Sequence, residues 1–291
     1  MKIDAHQHFW FSARRKYSWL EGDALTAIRR EFGPQDLKEE LERSALDGSV
    51  LVQTCSSLLE TLEFLDIAAQ TPFVLGVVGW ADLTDPELGP TLDALLQEVG
   101  GKYLVGLRHQ VHDEADRMWL LRADVNRGLE RVSARGLTYD LLVRPRELLA
   151  ARQVARAHPE LTFVIDHAAK PDVKGGNVKA GGLESWRASL EPFSLLPNVY
   201  IKLSGLVTEA DWTTWTPEQI VPYFRACLEL FGPERCLFGS DWPVCLLAAR
   251  YGQTLELVME ALEGQVQTAV DAVLGGSAAR AYRLQERGLV P

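Results

Sequence analysis

Eight short runs rich in Val, Ile, Leu, Tyr or Phe recur along the 291 residues, each bounded by polar or turn residues. They are "KIDAH" (2–6), "SVLVQT" (49–54), "FVLGVVGW" (73–80), "YLVGLR" (103–108), "LTYDLLV" (137–143), "TFVIDH" (162–167), "VYIKLS" (199–204) and "CLFGSD" (236–241). Each is too short for a helix, and a continuous apolar run is the pattern of a strand buried on both faces. The intervening segments carry apolar residues at helical spacing. In "PQDLKEELERSALDG" Leu37, Leu41 and Ala45 share a face, and "LLETLEFLDIAAQTP" stops at Pro72. "MWLLRADVNRGLERVSARG" ends at Gly136 and "RPRELLAARQVARAHPE" halts at Pro159, the punctuation expected of helix ends. Parallel neighbours need a crossover, usually a helix, so strand then helix eight times predicts a parallel sheet.

Such a chain closes into a single α/β domain over residues 1–291, a (β/α)8 TIM barrel. An open doubly wound sheet is the rival, but it often carries a glycine fingerprint after its first strand, and here that strand runs into "HQHFW". The glycine-rich "KPDVKGGNVKAGGL" (170–183) lacks the order of a phosphate-binding P-loop and reads as a mobile loop at the active site. The stretch from Thr254 to Gly288 reads as two or three helices that complete the outer ring.

Lys plus Arg number 30 and Asp plus Glu 40, a formal charge of −10, which argues against nucleic acid as a partner because phosphate contacts need a basic face. No stretch of about 18 apolar residues exists to span a membrane, and "MKIDAHQHFW" lacks the apolar core of a signal peptide, so a cytoplasmic location is expected. Cys55, Cys227, Cys236 and Cys245 show no CxxC spacing and are expected to be free thiols.

In a barrel of this type the chemistry collects where the strands end. Strand one ends at His6 and His8, strand four at Arg108 and His109, strand six at Asp166 and His167, and strand eight at Asp241, while strand five carries Tyr139 and strand seven Lys202 and Ser204. Five of the six histidines lie at or just past a strand end, with His158 the exception. Residues i and i+2 of an extended segment share a face, so His6 and His8 can point at one centre. His112 fits the mouth and the loop surface equally, and Lys202 and Ser204 fit the barrel layers and the strand-seven turn. Trp10, Trp80, Trp212 and Trp242 fall at or soon after strand ends, where indole faces suit the C–H face of a sugar ring, whereas Trp119 and Trp186 suit the core.

"DAHQHFW", "VIDHAAKP", "YIKLSGL" and "LFGSDWPV" together resemble the amidohydrolase superfamily over nearly the whole chain. "HQHFW", "GLRHQVHDE" and "GSDWP" narrow the likeness to its lactonase branch of L-fuconolactonases, L-rhamnono-γ-lactonases and 2-pyrone-4,6-dicarboxylate hydrolase. That resemblance implies a catalytic set of Asp241, His167 and Arg108, with Asp241 as general base and Arg108 on the substrate carbonyl or carboxylate. It implies His6, His8 and Asp241 as metal ligands, if a metal is bound. His109, Tyr139, Trp10 and Trp242 are the expected substrate-binding residues. Strands four and five lack the Lys or Glu bridge and the histidine of binuclear members, so a two-metal site is not expected. One divalent ion, zinc first, and metal-independent catalysis both remain open. The implied reaction is hydrolysis of a small sugar lactone to its aldonic acid by a monomer or homodimer. The alternatives are a metal-dependent decarboxylase, a dicarboxylate lactone hydrolase, and a binding protein that keeps the barrel without turnover.

Overall fold

The structure, a computed structural model, describes residues 1–174 and 182–290. All eight expected strands form: β1 Ile3–Gln7, β2 Gly48–Val52, β3 Val74–Gly79, β4 Leu104–His109, β5 Thr138–Leu141, β6 Phe163–Ile165, β7 Val199–Leu203 and β8 Cys236–Phe238. They pair in sequence order, every pair parallel. The seam between β8 and β1 is closed just past the strand ends, where Asp241 N donates to His6 O (2.8 Å) and His8 N to Trp242 O (2.7 Å). Gly239 permits this approach, since a Cβ there would stand 2.8 Å from His6 Cβ.

Helices α1 Pro34–Arg43, α2 Leu58–Gln70, α3 Leu88–Gln97, α4 Ala123–Ser133, α5 Leu148–Ala157 and α6 Gly182–Leu190 occupy the crossovers, α7 Leu206–Glu209 and α8 Pro217–Phe231 lie between β7 and β8, and α9 Tyr251–Ala261 follows β8. Their apolar faces and the outward strand residues form the larger core, as with Leu37 and Leu41 of α1. Ala45, expected on that same helix face, lies beyond the helix in the left-handed region (φ 51°).

A second, smaller core fills the barrel. Val50, Val52, Val105, Val164 and Leu237 meet Ala278, Ala281, Tyr282 and Leu284 from the C-terminal segment. The helices α10 Gln267–Asp271 and α11 Ser277–Ala281 therefore do more than complete the ring: the turn after α11 sends Tyr282 against the interior, where its hydroxyl donates to Asp140 (2.8 Å). The masking of solvent at that end leaves the strand C-terminal ends as the open mouth. Among the described residues no helix is long and apolar enough to cross a membrane, and the four cysteines are free.

Candidate active site

Strand β1 carries the first corner. Ile3 and Ala5 belong to the interior core, whereas Asp4 accepts from Ser240 Oγ (2.6 Å) and Tyr251 OH (2.8 Å), and Gln7 donates to Ser49 Oγ (3.2 Å). Simple alternation would then turn His6 outward. The pairing register shifts between Asp4 and Gln7, and this irregularity swings His6 and His8 inward.

The tautomer of His8 follows from its partner. Val52 O can only accept, so at 2.7 Å from His8 Nδ1 it holds the ring proton there, leaving a lone pair on Nε2. That atom faces His6 Nε2 at 3.2 Å and Asp241 Oδ1 at 3.4 Å, and Asp241 Oδ1 is also 3.8 Å from His6 Nε2 and from His167 Nε2. Tetrahedral zinc with ligands at about 2.0–2.1 Å separates its ligand atoms by about 3.3 Å. His6, His8 and Asp241, all buried, can therefore hold a metal ion. His6 Nε2 also lies 3.1 Å from Arg108 Nη1, so a bound cation has to displace that contact.

His167 is held by an unusual piece of backbone. His167, Ala168, Ala169 and Lys170 all have left-handed φ, at 51°, 50°, 59° and 48°. Each such residue costs about 1–2 kcal/mol, strain of the kind stored at functional sites. Trp186 Nε1 pins the turn by donating to Ala168 O (2.8 Å), and Lys170 Nζ pairs with Glu209 (2.5 Å). Ser204 Oγ lies 2.9 Å from His167 Nδ1, and Gly205, at φ +67°, makes room where a Cβ would fall on the imidazole.

Beneath the imidazoles lies a buried charge network. Lys202 Nζ contacts Asp140 Oδ2 (2.6 Å), Asp166 Oδ1 (2.9 Å) and His6 Nδ1 (3.1 Å), while Arg108 Nη1 reaches Asp166 Oδ2 (2.9 Å). Two cations thus balance two carboxylates at nearly zero exposure, the condition under which buried charge is tolerated. Burial and then Lys202 push His6 well below its usual range, so it is neutral and can be a ligand. Burial likewise holds His167 neutral against the pull of Asp241. Burial raises Asp241, but His167, His8 and Lys170 outweigh it and keep the carboxyl below its ordinary value, hence ionised at neutral pH.

This cluster floors a pocket of about 480 Å³, whose wall includes His8, Arg108, His109, His112, His167, Lys170 and Asp241. Trp19, Thr54, Ser56, Asp113, Glu114, Leu142 and Val244 complete much of the rest. Of the expected residues, His8, Arg108, His167 and Asp241 line the pocket with His6 buried against them, and His109 lines it as well.

Three residues expected to contact substrate are not among the residues that line the pocket. Tyr139 is wholly buried against Phe163 on the outer side of β5, because alternation points its neighbour Asp140 inward to Lys202. Trp10 and Trp242 are wholly or almost wholly buried and pack edge-to-face around Phe32, sealing the seam from outside the pocket. The indole at the wall is instead Trp19, which Trp10 supports at 5.2 Å between centroids. Trp80 donates to His109, Trp212 lies in a separate groove with Trp215, and His158, half-exposed, is tied to Asn126. Lys170, expected within the loop 170–183, lines the pocket; residues 175–181 of that loop lie outside the described residues. Lys202 belongs to the barrel interior, and Ser204 both ends β7 and braces His167. A charged residue inside an apolar strand run, as in "YDLLV" and "YIKLS", was the available signal for the network.

An eight-stranded parallel barrel with histidines from β1 and β6 meeting an aspartate after β8 defines the amidohydrolase type of site. Residues 3–284 match the sequence profile of the amidohydrolase family, and the chain belongs to it. It is 38% identical to an L-fucono-1,5-lactonase of Burkholderia multivorans over 292 residues, 98% of this chain and 97% of that protein. It is 39% identical to an L-fucono-1,5-lactonase of Burkholderia ambifaria over 86% of this chain and 83% of that one. A crystal structure of an amidohydrolase from Burkholderia multivorans with bound zinc superposes with a TM-score of 0.89 at 38% identity, covering 97% of this chain and 99% of that one.

Proposed function

We propose that this protein is a lactonase that opens a neutral aldonolactone of the L-fucono-1,5-lactone type to its aldonic acid. The observation that carries the reading is the ionised Asp241 set among His6, His8 and His167 at the floor of a pocket of about 480 Å³. The two lactonase relatives support the substrate class.

Lactone hydrolysis needs a base for water, stabilisation of the oxyanion, and a proton for the departing ring oxygen. Asp241 takes the proton as the water oxygen bonds to the carbonyl carbon. It returns that proton to the ring oxygen when the carbon–oxygen bond breaks. His167, neutral and braced by Ser204, is placed to hydrogen-bond the oxygen that becomes negative. Arg108 lends positive potential from the floor, with Nη1 on Asp166 and Nη2 on Gln53 O.

His6, His8 and Asp241 would hold one zinc ion, and when bound it would supply Lewis acidity and lower the pKa of a bound water toward about 7. A pH-indicator screen of aldonolactones tests the reading directly, with metal content measured on the same preparation. Proton release on a hexono- or pentonolactone is expected, and inactivity on all of them overturns the proposal.

A further inference from the structure

The wall of the pocket contains a chain of groups that the hydrolytic step leaves unused. Trp80 Nε1 lies 3.0 Å from His109 Nδ1, and His109 Nε2 lies 2.8 Å from Glu114 Oε1. An indole N–H can only donate, so His109 Nδ1 accepts and the ring proton sits on Nε2, donated to the Glu114 carboxylate. The imidazole is also stacked on Trp119, with centroids 4.4 Å apart and planes 13° from parallel. Both ring nitrogens of His109 are thus spent within the protein. What the chain presents to the pocket is Glu114, whose side chain is 34% exposed there.

The Glu114 backbone is fixed too: its N–H donates to Val111 O (3.1 Å) and its carbonyl accepts from Arg146 Nη2 (2.9 Å). Among the described residues no Lys or Arg lies within ion-pair distance of this carboxylate; Arg122 acts on it only from farther away and is itself bonded to Asp124, and the cations lining the pocket are engaged elsewhere. Arg108 is bonded to Asp166, and Lys170 to Glu209. A carboxylate held by one imidazole, with no cation at ion-pair distance, on the wall of an open pocket accepts hydroxyl donors well, since its hydrogen bonds are charge-assisted. It opposes a second anion by direct repulsion.

We propose that Glu114 is a specificity residue that accepts hydrogen bonds from the ring hydroxyls of the lactone and rejects anionic ligands, including the aldonate product and dicarboxylate lactones. Trp80 and His109 are its positioning residues. This rests on the lactonase reading above and assigns the wall of the site rather than its floor.

The test is Glu114→Gln, Trp80→Phe and the double variant, with wild type as reference. In E114Q the KM for a neutral aldonolactone rises about tenfold or more, the scale of a lost charge-assisted hydrogen bond, and this rise exceeds any fall in kcat. Inhibition by the aldonate product becomes several-fold tighter. W80F, which removes only the indole donor, moves both quantities the same way by less, and adds nothing in the E114Q background. Unchanged KM and unchanged product inhibition in a folded E114Q overturn the proposal. So does W80F acting additively, because independent effects mean no relay. If wild type hydrolyses no aldonolactone, the lactonase reading fails by itself. The Glu114 assignment is then decided by calorimetric binding of gluconate, which is tighter in E114Q if Glu114 repels anions and unchanged if it does not.

Discussion

Asp241→Asn separates the chemical role of Asp241 from its structural one. Asp241 sits in the left-handed region (φ 58°), a conformation that Asn adopts readily. Its backbone N–H donates to His6 O (2.8 Å) and its carbonyl accepts from Cys245 N (2.9 Å), and neither bond involves the carboxylate. The isosteric amide therefore leaves the β8 to β1 seam intact, and the melting temperature should stay within a few degrees of wild type. The amide cannot take a proton from water. General-base catalysis is worth about 10² to 10⁴ in rate, or about 2.7 to 5.4 kcal/mol of barrier at 1.36 kcal/mol per tenfold. Proton release from an aldonolactone, read with a pH indicator in weak buffer, should fall by that range in kcat. Because Asp241 is also a candidate ligand, metal content is measured in parallel and the assay repeated with saturating zinc. A folded D241N within about tenfold of wild type would refute the reasoning. Recovery of full activity on adding zinc would make Asp241 a ligand alone.

Lys202→Met leaves Asp140 and Asp166 facing each other without their shared ammonium. Breaking a buried pair costs about 3–5 kcal/mol, so urea unfolding should show a loss on that scale, partly recovered in D140N/K202M; a loss below about 1 kcal/mol contradicts the network. Gly205→Ala adds a Cβ where the His167 imidazole lies and imposes left-handed strain on Ala. It should lower kcat well beyond its effect on stability, which parallel activity and melting curves will show. His112 is pushed down to about 3, by burial first and then by Lys170, Arg144 and Arg108. The unfolded chain binds that proton near 6.5, so the stability His112 contributes is complete above pH 6.5 and is lost as pH falls toward 3. Denaturant unfolding at pH 7 and pH 5 should show a smaller loss in His112→Asn than in wild type, and equal losses would count against a neutral buried His112.

The legible part of the site is the part that depends on strand ends. His8, Arg108, His167 and Asp241 each follow an apolar run, and any barrel closure brings such positions to one mouth. Tyr139 lies on the outer face and its neighbour Asp140 on the inner one, a choice the sequence leaves open because a strand pattern states that faces alternate without stating which face is inside. Trp10 and Trp242 follow strands just as Asp241 does, yet they turn into the layer around Phe32. Glu114 and Trp19 come from connecting segments, whose course no periodicity records.

From the sequence alone follow the eight strand–helix units, their parallel order, and the set of side chains able to reach the mouth. These depend on local apolar patterning, which short-range sterics and burial read directly. The tertiary structure alone decided that an irregularity in β1 turns His6 and His8 inward, that Lys202 and Arg108 balance Asp140 and Asp166 beneath them, and that Trp80 occupies one ring nitrogen of His109 so that the other holds Glu114. Each depends on atoms tens of residues apart meeting within hydrogen-bond distance. Such meetings are set by barrel closure and side-chain packing, and no window of sequence contains them.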